Sequence, residues 1–330
     1  MLGIDVSKNT LVATLVEGTT HHTCWKQSVG NTEAGIASLL SRTPAGTPLV
    51  LEPTGRFGHL LVAQASAAGY PVLLAPPRKA KAFLSSISSR AKCDPLDSRG
   101  LALFALSQPL ARYRLKSQIV EQVDQLLSAR KGISSALARL SLQQRELPHA
   151  AAVLLEAIGA LKEQRAALDK QIAELSAKSP ELGAVARLRQ VPGIGPVTAA
   201  AVASRLASKD FAHPDAFVAY IGLDVGVVAS GKKQGERGLT RQGDAELRRL
   251  LYLAAQANLR CKESPFKEQY ARERAKGLST TGALCAVARK LAKLCWSLSR
   301  HGSTYDPSRV YQQPGSRRTA GESSQQEIAS

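Results

Sequence analysis

Cysteine is sparse and scattered in this chain. Cys24, Cys93, Cys261, Cys285 and Cys295 form no CxxC pair, and none is spaced with the six histidines as a zinc ligand set. His21, His22 and Cys24 come nearest, but the alternation of a strand would divide them between two faces. An odd, dispersed set argues against a disulfide framework and fits the reducing cytoplasm. Long hydrophobic runs are missing too. No stretch reaches the ~20 apolar residues needed to cross a bilayer, and no signal peptide precedes Gly3, so no membrane partner is expected. Acidic residues are the third scarce class, 26 against 44 Lys and Arg, for a net charge of +18. A field of that size favours polyanionic partners, with nucleic acid ahead of an anionic membrane surface. The apolar share of 44% and the charged share of 21% exclude a disordered chain, and 330 residues suffice for two or three domains with real cores.

The charge is uneven. Residues 1–100 carry ten basic and six acidic side chains, whereas residues 181–330 carry 23 basic and 13 acidic. The second half therefore supplies most of the attraction for a polyanion, and the few acids of the first half stand out by position. Asp5 interrupts the apolar start Leu2-Gly3-Ile4-Asp5-Val6-Ser7-Lys8, Glu52 ends the run Leu49-Val50-Leu51, and Asp94 and Asp97 lie three residues apart around Pro95. On an extended strand Asp5 points away from Ile4 and Val6, so it can face a cleft while they pack. Strand ends are where open α/β sheets place their chemistry. Asp94 can cap a helix that Pro95 opens, with Asp97 on the same face. Four converging carboxylates repel one another unless cations neutralise them, and hard oxygen donors match Mg²⁺ better than zinc. Two such ions roughly 4 Å apart can activate a nucleophile and stabilise the leaving oxygen of a phosphodiester.

Strands are expected at 2–6, 11–16, 22–29, 47–52 and 70–75, with helices at 32–41, 57–68, 77–85 and 95–107. Alternation of this kind implies an α/β domain over residues 1–108. Apolar residues recur at helical intervals from Ile119 to Leu140 and again from Ile158 to Leu175, which predicts a helical hairpin or coiled-coil arm over 109–180. Residues 181–302 read as a mainly α, basic domain with an irregular stretch at 222–243. Its helix starts are marked by Ser264 before Pro265 and by Ser279. The Ser-, Gln- and Gly-rich segment 303–330 is expected to be disordered.

In the basic domain, Val191-Pro192-Gly193-Ile194-Gly195-Pro196-Val197 precedes the small-residue run Thr198–Ala203. Gly193 and Gly195 allow a tight turn that exposes amides at a helix start, a phosphate site like that of a helix-hairpin-helix module. Beyond it, Ser230 lies in a loop with Lys232, Lys233 and Arg237, followed by Arg241, Arg248 and Arg249. A serine hydroxyl there can attack phosphorus if a base or metal takes its proton, and the cations can contact phosphate and steady the developing charge.

Together the segments Gly3–Lys8, Leu51–Gly58, Lys92–Asp97, Pro192–Pro196 and Gly222–Leu250 resemble, in order and over roughly residues 1–300, the transposases of DEDD-type insertion sequences that move as circles. The likeness is to the branch guided by a bridge RNA. The resemblance implies a RuvC-like, RNase H-type first domain whose acids fall on Asp5, Glu52, Asp94 and Asp97. It also implies a second domain whose nucleophilic serine falls on Ser230. Cys93 stands where threonine is usual in that family, and Ser98 where alanine is usual.

The expected activity is an RNA-guided, Mg²⁺-dependent DNA recombinase that acts through a covalent 5′-phosphoserine. Its expected partners are target DNA, donor DNA, an element-encoded bridge RNA and further copies of itself, as dimers that form a tetramer with a site composed from two protomers. The expected location is the prokaryotic cytoplasm, at the nucleoid during recombination. Two rivals remain: a Holliday-junction resolvase or nuclease that uses water in place of serine, and a nucleic-acid-binding module without chemistry.

Overall fold

The computed structural model describes residues 1–52, 55–87, 94–110, 112, 113, 115–226, 229, 230, 233, 234 and 238–310, with backbone alone at 55, 56, 84, 87, 94–97, 229, 230, 233 and 234. Two compact units result, Met1–Leu115 and Lys116–Ser330.

The first unit is mixed α/β. Its strands are β1 (Leu2–Val6), β2 (Thr10–Val16), β3 (Thr23–Gly30), β4 (Leu49–Leu51) and β5 (Val72–Leu74), and its helices are α1 (Glu33–Ser41), α2 (His59–Ala67), α3 (Pro77–Ile87) and α4 (Asp94–Ser107). The sheet order is β3-β2-β1-β4-β5. β1, β2 and β3 form an antiparallel meander, and β4 and β5 run parallel to β1. Tight turns suffice for the meander, whereas the parallel strands need crossovers, which α1 and α2 supply.

Alternation of side chains explains the two layers. Leu2, Ile4, Leu49 and Leu51 pack with Ile36, Leu39 and Leu61 on the α1/α2 face. Val50 points the other way, into a cluster with Leu101, Phe104 and Ala80 on the α3/α4 face. β4 is buried along its whole length, as a parallel strand covered on both faces must be.

The second unit is helical: α5 (Gln118–Glu146), α6 (Ala151–Lys178), α7 (Ala184–Leu188), α8 (Pro196–Ser208), α9 (Pro214–Ile221), α10 (Ala245–Arg260), α11 (Phe266–Ala275) and α12 (Thr280–His301). The predicted arm is the antiparallel pair α5–α6. Its inner ends join the main core, where Val120, Val123 and Ile172 are buried with residues of α8 and α10. Ser117 caps α5 and Ser279 caps α12 through their side-chain oxygens. The first helical residue after Ser264 is Phe266, whose amide the Ser264 hydroxyl accepts at 3.2 Å.

Two segments differ from expectation. The stretch 222–243 holds a short antiparallel hairpin, β6 (Ala229–Ser230) and β7 (Lys233–Gln234). Residues 303–310, placed in the disordered tail by composition, are tied to the domain. Asp306 caps a turn at Pro307–Arg309, the Tyr305 amide donates to Gln190 at 3.2 Å, and Val310 is buried in the core. Low hydrophobicity hid this because one valine, one cap and one hydrogen bond to Gln190 do the anchoring.

Candidate active site

The last registered pair between β1 and β4 is Ile4↔Leu51. Asp5 and Glu52 are the next residues on each strand, so two carboxylates stand side by side at the C-terminal edge of the sheet, both half-buried. Residues paired in a parallel register project to the same face. Gly3 and Val50 are paired, and Val50 packs on the α3/α4 side. Asp5 and Glu52, two residues further along, share that face.

Helix α4 crosses this face in direct backbone contact. A Cβ built on Gly3 would lie 1.9 Å from the Ser98 carbonyl oxygen and 2.7 Å from the Ala102 nitrogen. Only glycine permits that approach. Ser98 itself is fully buried and shares a 2.8 Å hydrogen bond with Thr14, the residue paired with Gly3. The Ser98 hydroxyl thus has a partner on β2. Leu106, at the other end of α4, lies against Gly18, just past the end of β2 that adjoins the start of β1. The helix therefore runs back along β1, and its first turn, which carries Asp94 and Asp97, lies towards the Asp5 end. The side chains of Asp94 and Asp97 are outside the described residues, as is Cys93. Among the described residues no three His, Cys, Asp or Glu side chains gather as a metal site.

Asn31 is a neighbour that sequence reasoning missed. Its Nδ2 donates to the Ser7 carbonyl at 3.0 Å and to the Phe57 carbonyl at 2.9 Å. One segment follows Asp5 and the other follows Glu52, so a single amide ties together the chain beyond both acids. Its Oδ1 is buried without a hydrogen-bond partner among the described residues. The only sequence signal was an asparagine just before the Thr32 cap of α1, which reads as ordinary turn chemistry.

In the helical unit, Gly195 is the N-cap of α8, with Pro196 at its first position and no side-chain cap. Gly195 is exposed, and its Cβ direction meets nothing within 4 Å, which leaves the helix start accessible. A cavity of about 500 Å³ adjoins it, lined in part by Arg130, Arg165 and Arg249. Gly193 does different work. Its φ is +82°, and a Cβ there would sit 2.4 Å from the Ala254 carbonyl, so it lets the turn press on α10. Asn258, fully buried on α10, secures the turn by donating to the Pro192 carbonyl at 2.6 Å.

The backbone of Ser230 pairs with that of Lys233 in the β6–β7 hairpin. The Ser230 and Lys233 side chains, and all of Lys232 and Arg237, lie outside the described residues. The hairpin's stem is described. Val225 bridges Leu239, the Gly226 amide donates to the Gly238 carbonyl at 2.9 Å, and the Thr240 hydroxyl bonds Asp224. Arg248 donates to the Ile221 carbonyl at 2.7 Å and Arg289 to the Leu223 carbonyl at 2.9 Å. Two guanidinium groups thus clamp the base of the segment that carries Ser230. Arg249 pairs with Glu246 at 2.5 Å, and Arg241 adopts a φ of +53°.

The sequence that builds these two units is similar, over two stretches, to transposase domains. Residues 2–147 match a family profile of DEDD type described as a transposase, and residues 185–271 match the profile of the transposase IS116/IS110/IS902 family. The chain is thus similar to transposase domains over two separate stretches, the first running from the α/β unit into α5 and the second lying within the helical unit.

Among individual relatives, the transposase for insertion sequence element IS1328 of Yersinia enterocolitica is 31% identical over 124 residues, 36% of each chain. A probable family 20 transposase of Pseudomonas aeruginosa is 26% identical over 190 residues, 55% of this chain and 56% of that one. An IS110 insertion-element protein of 43.6 kDa from Streptomyces coelicolor is 30% identical over 154 residues, 46% of this chain and 37% of that one. The matched stretches thus span between 36% and 56% of these relatives' lengths.

Proposed function

We propose that this chain is a DNA transposase that recombines strands under RNA guidance, with Mg²⁺ and a covalent 5′-phosphoserine at Ser230. The observation that carries the reading is the adjacency of Asp5 and Glu52 on the α4 face of the sheet, inside a domain that matches DEDD-type transposases. The RuvC-like, RNase H-type assignment rests on the same mixed sheet. The two described carboxylates fit a hard divalent cation, and Asp94 and Asp97 in the first turn of α4 would complete its donor set. A bound Mg²⁺ would supply charge neutralisation and polarisation of the scissile phosphate.

The rest is chemistry of the chain itself. The Ser230 oxygen bonds to phosphorus while the bond from phosphorus to the 3′ oxygen breaks. The serine proton passes to a base, and the 3′ end leaves as a hydroxyl. The 5′ phosphate stays esterified to serine, so a 3′ hydroxyl from another strand can reverse the step without ATP. Lys232, Lys233, Arg237 and Arg241 flank the serine in sequence and favour the developing negative charge. The turn at Gly193 and Gly195, with Arg249, offers phosphate contacts, and Arg248 steadies the serine segment as well.

Target and donor DNA are the substrates, a bridge RNA encoded by the element is the guide, and the 109–180 arm holds that RNA or a second protomer. Dimers assembling to a tetramer would build the site from two chains. The net charge of +18 and the ordered set of family motifs support this reading.

Two substitutions and one isolation test it. Ser230→Ala should abolish covalent protein–DNA adducts while DNA binding persists; continued strand cutting would instead identify a water-using nuclease. Asp5→Asn should abolish cleavage, and a variant that still recombines would refute the catalytic assignment. RNA that copurifies with the protein should direct recombination to DNA matching its loops, and recombination without it would remove the guide from the mechanism.

A further inference from the structure

Helices α11 and α12 and the stem of the Ser230 hairpin enclose a groove of about 1540 Å³ that none of the expected contacts explains apart from Arg241. Among the described residues its lining includes six cations, Arg241, Lys276, Arg289, Lys290, Lys293 and Arg309, against one carboxylate, Glu273. Glu273 pairs with Lys276 at 3.1 Å, and Asp215 pairs with Lys293 at 2.6 Å. Cations outnumber carboxylates along this wall even with Asp215 counted beside Glu273. Burial, with Arg272 and Lys293 nearby, holds the Lys290 amine below the usual lysine range. A folded protein that crowds cations at a half-buried wall lowers that cost when an anion is bound. The groove also reaches Val225, Gly238 and Leu239, where the hairpin leaves the domain.

We propose that this groove is a DNA track: Lys290, Lys293, Lys276 and Arg309 contact successive phosphates of one strand and lead it to the Ser230 hairpin. The assignment rests on the reading of the chain as a DNA strand-transfer enzyme, because the strand that reaches the hairpin is the one the serine attacks. Arg289 joins the two parts, since it lines the groove and clamps the hairpin's base at Leu223. The contacts are to the backbone, so they position the strand and carry no sequence preference.

The full-length protein and a DNA duplex with a single-stranded end provide the test, with binding measured by fluorescence anisotropy over a range of salt concentrations. The variants are Lys290→Ala with Arg309→Ala, and, on α10 outside the groove lining, Arg260→Ala. The double variant should weaken binding and lower the slope of log affinity against log salt by roughly 0.9 per contact, while Arg260→Ala keeps the wild-type slope. Equal thermal unfolding midpoints for all proteins separate this effect from misfolding. An unchanged slope in the double variant, or the same loss with Arg260→Ala, would overturn the groove and leave the proposed function standing. A loss confined to an RNA oligonucleotide of the same length would also overturn it. Failure of the wild type to bind DNA at all would sink both readings.

Discussion

Asp5 and Glu52 follow one registered pair of two neighbouring parallel strands, although 46 residues separate them in the chain. Each is the first residue past the pair Ile4↔Leu51, and each faces α4. Two carboxylates at such a spacing repel one another in a half-buried edge, and the arrangement is stable when a cation or donors compensate them. The β1–β4 register fixes their relationship more firmly than any loop could, because a one-residue slip would turn one acid to the opposite face.

Gly3 is the contact that seats α4 over this edge. Gly3→Ala puts a methyl 1.9 Å from the Ser98 carbonyl, which the backbone must move to avoid. Overpacking of this kind costs about 1–3 kcal/mol. The expected result is a lower unfolding midpoint together with loss of strand cleavage, since α4 carries Asp94 and Asp97. Full activity with unchanged stability would show that the helix is not held by this contact.

Asn31 gives a contrast between two substitutions. Alanine removes two hydrogen bonds, to Ser7 and Phe57, and also removes the unpaired Oδ1, so the losses partly cancel. Aspartate cannot donate to either carbonyl when ionised and adds negative charge near Asp5 and Glu52. Chemical denaturation should rank wild type above Asn31→Ala and Asn31→Ala above Asn31→Asp, with the first gap about 1–3 kcal/mol. The reverse order of the two variants would remove the clamp.

Arg205 joins three helices of the second unit. It contacts Asp124 of α5 at 2.5 Å and Asp244, the cap of α10, at 2.9 Å. Burial opposes ionisation of Asp244, but the Leu247 amide and Arg205 outweigh it and hold the carboxyl below its ordinary value of 3.8. A carboxyl depressed in the folded state contributes stability above its unfolded pKa and loses it as pH falls through the folded value. Asp244→Asn should therefore lower the unfolding midpoint at pH 6, and the gap from wild type should shrink below pH 3.8. A constant gap would mean the charge is not what matters. Arg205→Ala leaves Asp124 with Lys116 and Asp244 with the Leu247 amide, so it should cost about 1–3 kcal/mol and not the larger penalty of an unpaired buried charge.

Thiol reactivity should follow burial. Cys24 is exposed, whereas Cys295 is fully buried with its thiol pushed up to about 12 by that burial. Thiolate is the reacting species. Mass spectrometry after brief alkylation of the native protein should find Cys24 modified and Cys295 untouched until the protein unfolds. Early labelling of Cys295 would show that α12 opens readily.

Much of the first unit was legible in its residues. The runs at Leu2–Val6 and Leu49–Leu51 are short, apolar and bounded by turn residues, so their strand state followed from pattern alone. The α5–α6 hairpin followed from its seven-residue spacing, and Ser279 announced α12. The hairpin at Ala229–Gln234 was hidden because glycine and lysine are poor strand formers, and its stem depends on distant clamps from Arg248 and Arg289. Asn31, Asn258 and Arg289 were equally unreadable, since each acts on a carbonyl that lies 24 to 66 residues away in sequence.

The amino-acid order by itself determined the strands of the first unit and the long helices, how basic the second half is, and which acids sit at the ends of apolar runs. These follow from local periodicity and composition, which need no knowledge of the fold. Tertiary structure alone decided that Asp5 and Glu52 end neighbouring strands, that Gly193 serves packing while Gly195 stays open, and that the cations of α12 line one groove with Lys276, Arg309 and the hairpin stem. Those facts depend on strand register and helix packing, and both are set by contacts between residues that local sequence patterns do not link.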